Sequence, residues 1–233
     1  MKEMSIIKEL DSIFDSVTIK PTFDYVHVIL SLFIFKENPD GIGRYRLKDE
    51  LEIGSGTSKS LVKRLERKIH FIKVKDEKSK SERQNIRKGH VLTDKGSKFL
   101  DKIKSKIPLL NYGDLSFLKE IIINAEHINA FFCLVRGASQ SISNGIEQRD
   151  AAIKVNGSGA TCLIYNGQNL VFPASSEEEK ERTKVNLTIQ KYFEKELSYA
   201  HLEFIKNDVI IIGLGDNPEK ARLASLNAAL TLL

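Results

Sequence analysis

The chain has 233 residues, 41% of them hydrophobic and 29% charged, with a formal net charge of +5 at pH 7. That composition excludes a disordered chain, and the length suits one large or two ordinary domains at about 150 residues each. Positive charge is unevenly held: residues 1–110 carry 24 Lys and Arg against 16 Asp and Glu, residues 111–233 carry 12 against 15, and residues 57–90 alone carry 12 against 4. Such a cluster is the footprint of a polyanion partner, although a basic run also serves as a plain solvated face.

The first residues are charged throughout and hold no apolar block with a cleavage site, so a cytoplasmic protein is expected. Ile6, Ile7, Leu10, Ile13, Phe14 and Val17 recur at helical spacing and predict a leading helix within 1–17, packed on its own domain or on a second subunit. The apolar run at 26–35 falls short of the roughly 20 residues that cross a bilayer, so no membrane partner is expected. It reads as a buried helix, although its β-branched content also permits a strand. "RYRLKDELEI" follows as a short amphipathic helix with Leu47 and Leu51 one turn apart.

"GSGTSKS" (54–60) has the look of a phosphate loop. The nucleotide-binding pattern needs a buried strand before it and glycines where this chain has Ser58 and Ile53, which argues against a nucleotide. Instead Leu61, Leu65 and Ile69, with Val62 beside them, make one apolar helical stripe. Lys59, Lys63 and Arg67 share that spacing on roughly the opposite face, flanked by Ser60 and Arg64. Two helices joined by a tight turn at 53–55 are a helix-turn-helix.

Residues 71–74 read as a strand, 75–89 as a polar hairpin tip and 90–92 as the return strand. A closing helix follows, capped by Thr93 or Asp94, with Phe99, Leu100, Ile103 and Ile107 on one face. In Leu47, Leu51, Ile53, Thr57, Leu61, Leu65 and "LTDKG" (92–96), the sequence resembles winged helix-turn-helix regulators of the MarR-like and related prokaryotic kind, over roughly 22–107. It departs at Ser58, where such helices often carry an apolar residue, and at Ile69, where a glycine commonly ends the helix. The resemblance implies that the second helix enters the major groove of double-stranded DNA. Thr57, Lys59, Ser60 and Lys63 would lie nearest the bases, Arg64 and Arg67 nearer phosphate, and Arg83, Arg87 and Lys88 on the wing. It also implies a homodimer, since two recognition helices about 34 Å apart read a two-fold operator. The alternative is a winged helix used as a protein-interaction module in a nucleic-acid-processing complex.

Pro108, Gly113 and Asp114 in "KSKIPLLNYGD" interrupt the periodicity and mark a linker, dividing a domain at 1–108 from one at 109–233. In the second, 130–137 is a buried strand, and Ile142, Ile146 and Ile153 lie on a helix. Residues 160–173 form a hairpin turning at Asn166 and Gly167. The acidic run at 175–182 reads as a helix start. Val185, Ile189, Phe193 and Leu197 mark a long helix, 208–213 a strand, and Asp216 or Asn217 caps a terminal helix with Pro218 in its first turn. The order β-α-β-β-α-β plus a terminal helix predicts an α+β fold with a ferredoxin-like second domain.

Cys133 and Cys162 sit in apolar runs as packing residues, and five scattered histidines suggest no metal; no cofactor is expected. Arg136, Glu147, Gln148, Arg149 and Asp150 are candidates for an effector site, an Arg holding a carboxylate or phosphate and the acids an amine, unless they are a surface ion-pair set. "GLGDNP" (213–218) is an anion seat or a plain turn and cap. Glu147 and Asp150 lack a histidine partner, so the chain is not expected to be an enzyme; a small-molecule enzyme in the second domain is the less favoured alternative. The stretch at 135–167, with "VIIIG" (209–213) and "LNAALTLL" (226–233), resembles the C-terminal domain of archaeal winged-helix transcriptional regulators, a domain itself uncharacterised. That implies a regulator and assigns no chemistry.

Overall fold

The computed structural model describes residues 6–16, 20–75, 89–122, 127–173 and 184–233, in two units, Met1–Ile103 and Lys104–Leu233. Val17, the tip residues Arg83, Arg87 and Lys88, and the acidic run at 175–182 lie outside the described residues.

In the first unit the expected leading helix is shorter than 1–17: a 3-10 turn, Ile6–Leu10, runs into α1, Asp11–Phe14. The apolar run resolves as α2, Tyr25–Glu37, with nine of its 13 residues buried, which removes the strand alternative. Its start is fixed by the backbone N–H of Asp24 donating to His27 Nδ1 at 3.0 Å. The ring nitrogen is an acceptor there, so the imidazole is neutral, and burial pushes its pKa below the ordinary 6.5.

α3, Arg44–Glu50, and α4, Ser55–Arg67, follow. Glu52 takes the left-handed backbone at φ 53°, and Gly54 and Gly56 do not. Ser58 is buried because its hydroxyl donates to the Arg44 carbonyl at 2.9 Å and ties the two helix starts together; an apolar side chain there would leave that carbonyl without this donor. At the far end His70, at φ 57°, supplies the left-handed residue that releases the chain from α4, so Ile69 stays a core side chain.

β1, Ile72–Val74, pairs antiparallel with β2, His90–Leu92, and Ile42 bridges to His90. α5, Asp94–Lys106, begins with the Thr93 hydroxyl accepting from the Gly96 N–H at 3.1 Å. A Cβ on Gly96 would stand 2.2 Å from the Phe71 carbonyl oxygen, so the post-hairpin "LTDKG" needs glycine for helix and strand to touch.

Burial also holds the His90 pKa below 6.5, against the opposing charge of Glu66. Because folded His27 and His90 bind protons more weakly than in the unfolded chain, the unfolded state gains protons first as pH falls below about 6.5. The first unit therefore loses stability as pH falls below about 6.5. A urea midpoint followed by circular dichroism falls with pH there, and His27→Gln flattens the fall.

The second unit is a five-stranded antiparallel sheet in the order β3-β4-β7-β5-β6. β3 is Leu109–Gly113, followed by the short α6, Leu115–Leu118, and then β4, Asn129–Val135. Next come a 3-10 turn, Ser139–Ser141, α7, Ile146–Lys154, β5, Gly159–Tyr165, and β6, Leu170–Val171. α8, Leu187–Tyr199, β7, Val209–Gly215, and α9, Pro218–Leu230, complete it.

Three expectations are corrected. The stretch read as a linker supplies β3, whose five residues pair with β4. The ferredoxin-like strand order does not hold: there the third strand of the motif separates the first two, whereas here the fourth, β7, lies between β4 and β5. Each strand-helix-strand crossover still spans one strand of the other, so both are split units. Finally, the hairpin turns one residue later than expected, because Tyr165 pairs with Leu170 and the Asn166 side chain accepts from the N–H groups of Gln168 and Asn169 at 2.9 and 2.8 Å. Gly167, at φ 107°, then opens the turn proper.

Alternation along the strands sends Phe132, Leu134, Leu163, Ile210 and Ile212 into one core with Ile189, Phe193 and Leu197 of α8. α9 packs directly on β7: a Cβ on Gly213 would stand 2.1 Å from the Ser225 backbone nitrogen. Asn217 caps α9 by accepting from the Lys220 N–H at 2.8 Å.

Candidate functional site

α4 carries basic residues on two faces that do different things. At about 100° per residue, Lys59, Lys63 and Arg67 fall on one side, and Thr57, Ser60, Arg64 and Lys68 on another. The second face is engaged inside the unit. Arg64 Nη1 donates to the carbonyls of Ile13 and Asp15 at 2.6 and 2.9 Å, and Lys68 Nζ to those of Ser12 and Asp15 at 3.0 and 2.6 Å. These cations satisfy carbonyls at the end of α1, as basic side chains do at helix C-termini. Arg64 is therefore corrected from a phosphate contact to a helix clamp. Thr57 shares a 2.7 Å hydrogen bond with Thr22, and Ser60 is half-buried.

Lys59, Lys63 and Arg67 are exposed and face a groove shared with α3. One depression, about 240 Å³, is lined by Arg44, Tyr45, Lys48, Ser55, Gly56 and Lys59. A second, about 400 Å³, adds Val62, Lys63, Glu66, Arg67 and His90 while sharing Arg44 and Lys59 with the first. Glu66 is the single acid among these lining residues. Its contact with Arg67 is long, 3.9 Å, and Lys48 pairs with Asp49 at 3.0 Å, both of them surface pairs of little energy. Lys59 and Lys63 have no ion-pair partner among the described residues. His90, its pKa lowered by burial, is neutral at pH 7, so the groove's positive charge sits on lysine and arginine.

Arg44, Tyr45 and Lys48 were not among the sequence candidates. The signal was present in "RYRLK", where Arg44 and Lys48 stand one turn apart. The Arg44 guanidinium lies 4.9 Å from the centre of the Tyr45 ring and donates to its hydroxyl at 3.0 Å. That pair presents a flat cation beside an aromatic ring at the mouth of the groove.

The second unit does not gather the five effector candidates. Arg136 follows Val135, which pairs with Val209, whereas Arg149 lies over Gly159, which pairs with Leu214. Five residues of β7 separate those ends by about 17 Å. The Arg136 guanidinium is committed to the buried Asp208 carboxylate, which also accepts from the N–H groups of Gly137 and Ile205 at 3.2 and 2.8 Å. Gln148 is buried and donates to Thr231 Oγ1 at 2.7 Å. Arg149 and Asp150 form a surface pair at 2.9 Å, and Glu147 is exposed. Ile146 and Ile153 also turn outward, at 48% and 50% exposure, while Gln148 and Ala152 face the core. Among the described residues no three His, Cys, Asp or Glu side chains converge on a metal-sized site. No helix among them is long and apolar enough to cross a membrane.

Residues 128–232 match the sequence profile of a domain of unknown function, DUF4443. Among solved structures, the hypothetical protein PH0730 from Pyrococcus horikoshii OT3 is similar, with a TM-score of 0.61 and 24% identity, covering 89% of this chain and 91% of that one. At that identity the likeness is one of fold. No curated protein matches the chain. The domain match and the archaeal neighbour together fit an archaeal family without an assigned function.

Proposed function

We propose that the first unit is a winged helix-turn-helix that binds duplex DNA through the outer face of α4, in a homodimeric transcriptional regulator whose second unit dimerises and takes an effector. The observation that carries this reading is the groove between α3 and α4, with Arg44, Lys48, Lys59, Lys63 and Arg67 against one acid. α4 would lie in the major groove, Lys59 and Lys63 toward base edges and Arg67 toward phosphate. The start of α3 would meet the flanking backbone through Arg44 and Lys48, and the β1–β2 hairpin would form the wing.

The test is binding of the full chain to duplex fragments across a salt series. A log–log slope of about −5 or steeper is expected from a dimer making several phosphate contacts per subunit. Absence of binding at about 50 mM salt contradicts the reading.

Gly56 supplies a finer test. It lies in the first turn of α4, exposed, and an added Cβ would meet nothing within 4 Å. Gly56→Ala leaves the unit at least as stable, since alanine is the better helix former by up to about 1 kcal/mol. Duplex affinity falls about tenfold, because the Cβ occupies space that a closely approaching DNA strand needs. Equal affinity for the two proteins, measured by fluorescence anisotropy, would show that no such close approach occurs.

A further inference from the structure

The second unit holds a cleft of about 880 Å³ where β5 and β6 join. Its apolar lining comes from Ile142, Ile164, Val171 and Phe172, and its charge from Lys184 and Lys206. No acidic side chain is among the described residues that line it. Neither lysine has a hydrogen-bond or ion-pair partner among the described residues.

The walls are built, since three chain segments are fastened to one another around the cleft. Asp208, 1% exposed, collects Arg136, Gly137 and Ile205 and so ties the end of β4 to the loop before β7. The Asn207 N–H donates to the Tyr165 carbonyl at 2.9 Å, and the Tyr165 N–H to the Asp208 carbonyl at 2.8 Å, which tie that loop to the hairpin. The Ser139 N–H donates to the Asn207 carbonyl at 3.1 Å and holds the third wall. The Lys206 stem runs past Gly167, where an added Cβ would lie in ordinary contact, 3.5 Å from Lys206 Cδ. Arg136 thus acts at one remove, as a positioning residue for the loop that carries Lys206 and Asn207.

We propose that this cleft binds a small organic monoanion with an apolar body, its carboxylate held by Lys184 and Lys206 and its hydrocarbon part laid on Ile142, Ile164, Val171 and Phe172. Size fits, since clefts of about 300–1,000 Å³ hold ligands of that class. Charge fits as well: among the described residues the lining holds two lysines and no acid, which favours an anion over an amine or a zwitterion. This gives the effector part of the functional reading a place and a chemistry, and it stands apart from the DNA-binding part because its test contains no DNA.

Octanoate and phenylacetate are titrated calorimetrically into the full chain, alongside the neutral octanamide and phenylacetamide. At least one acid binds with Kd at or below about 1 mM, and its amide binds at least about tenfold more weakly. Lys184→Met with Lys206→Met keeps the stems and the unliganded melting temperature but lowers acid affinity about 100-fold, about tenfold per charge-assisted hydrogen bond. No binding of either acid at about 10 mM, equal binding of acid and amide, or an unchanged affinity in the double variant each overturns the proposal.

Discussion

Replacing Lys59, Lys63 and Arg67 together by alanine lowers duplex affinity about 100-fold or more and flattens the salt slope by about 0.9 per subunit, for the lost phosphate contact of Arg67. The three side chains share one exposed face of α4, and among the described residues the only ion pair lost is the 3.9 Å contact of Arg67 with Glu66. Alanine is a strong helix former, so α4 persists and the melting temperature changes little. Arg64→Ala gives the opposite pattern. It removes the donor to the carbonyls of Ile13 and Asp15, which costs about 1–3 kcal/mol of stability, and it leaves the salt slope as it was. Two basic residues adjacent in sequence thus separate into a binding effect and a folding effect. Denaturant melts and anisotropy titrations of both variants measure the two effects directly. Equal slopes for the triple variant and the parent would mean that this face touches no phosphate.

Gly213→Val removes most of the stability of the second unit. The added Cβ would stand 2.1 Å from the backbone nitrogen of Ser225, 2.5 Å from its Cα and 2.8 Å from the Ala221 carbonyl. All three are backbone atoms of α9, so no side-chain rotation relieves the clash, and the helix must lift off β7. Gly157 and Gly215 make similarly close approaches to Ala224 and Ala221, at 2.5 Å each, so α9 has little room to slide. Lifting it exposes Leu223, Leu226 and Leu230 and breaks the 3.2 Å bond from the Ser225 hydroxyl to the Ile211 carbonyl. Overpacking alone costs about 1–3 kcal/mol, and with lost burial the total reaches about 4 kcal/mol or more, a large share of a domain's about 5–15 kcal/mol. A two-transition urea melt in which only one transition moves is the expected result. An unchanged melt would mean that α9 does not sit on β7 this closely.

The contrast with Gly56, whose Cβ meets open space, shows why a sequence alone does not rank its glycines. Gly56 and Gly213 look alike in one dimension; what distinguishes them is a helix brought against β7 by the fold. Helical spacing did expose α4, α5 and α8, because their apolar stripes recur every three or four residues. The Asn217 and Pro218 start of α9 was legible too, since cap chemistry is local. β3 was not: five residues after a proline, none of them buried, show no alternation, and their pairing partners lie 17 to 25 residues away. The two left-handed residues that end α3 and α4, Glu52 and His70, carry no glycine to announce them.

The groove was half legible. The spacing of Lys59, Lys63 and Arg67 puts them on one face, but the direction of Arg64 depends on carbonyls 49 and 51 residues earlier. Arg44 and Lys48 passed as ordinary polar positions because only the docking of α3 beside α4 brings them to the same groove. The cleft of Lys184 and Lys206 was invisible for the same reason: its lining comes from four separate stretches of the second unit.

The most direct test of the central claim, that the outer face of α4 is a DNA-binding surface, is amide chemical-shift mapping of the isotope-labelled chain during titration with duplex DNA. The largest changes are expected at Arg44, Tyr45 and Lys48 and along α4 at Ser55, Gly56, Lys59, Lys63 and Arg67, with Ser12, Ile13 and Asp15 nearly still. Changes confined to other surfaces, or none at low salt, would contradict it and favour a winged helix that binds protein.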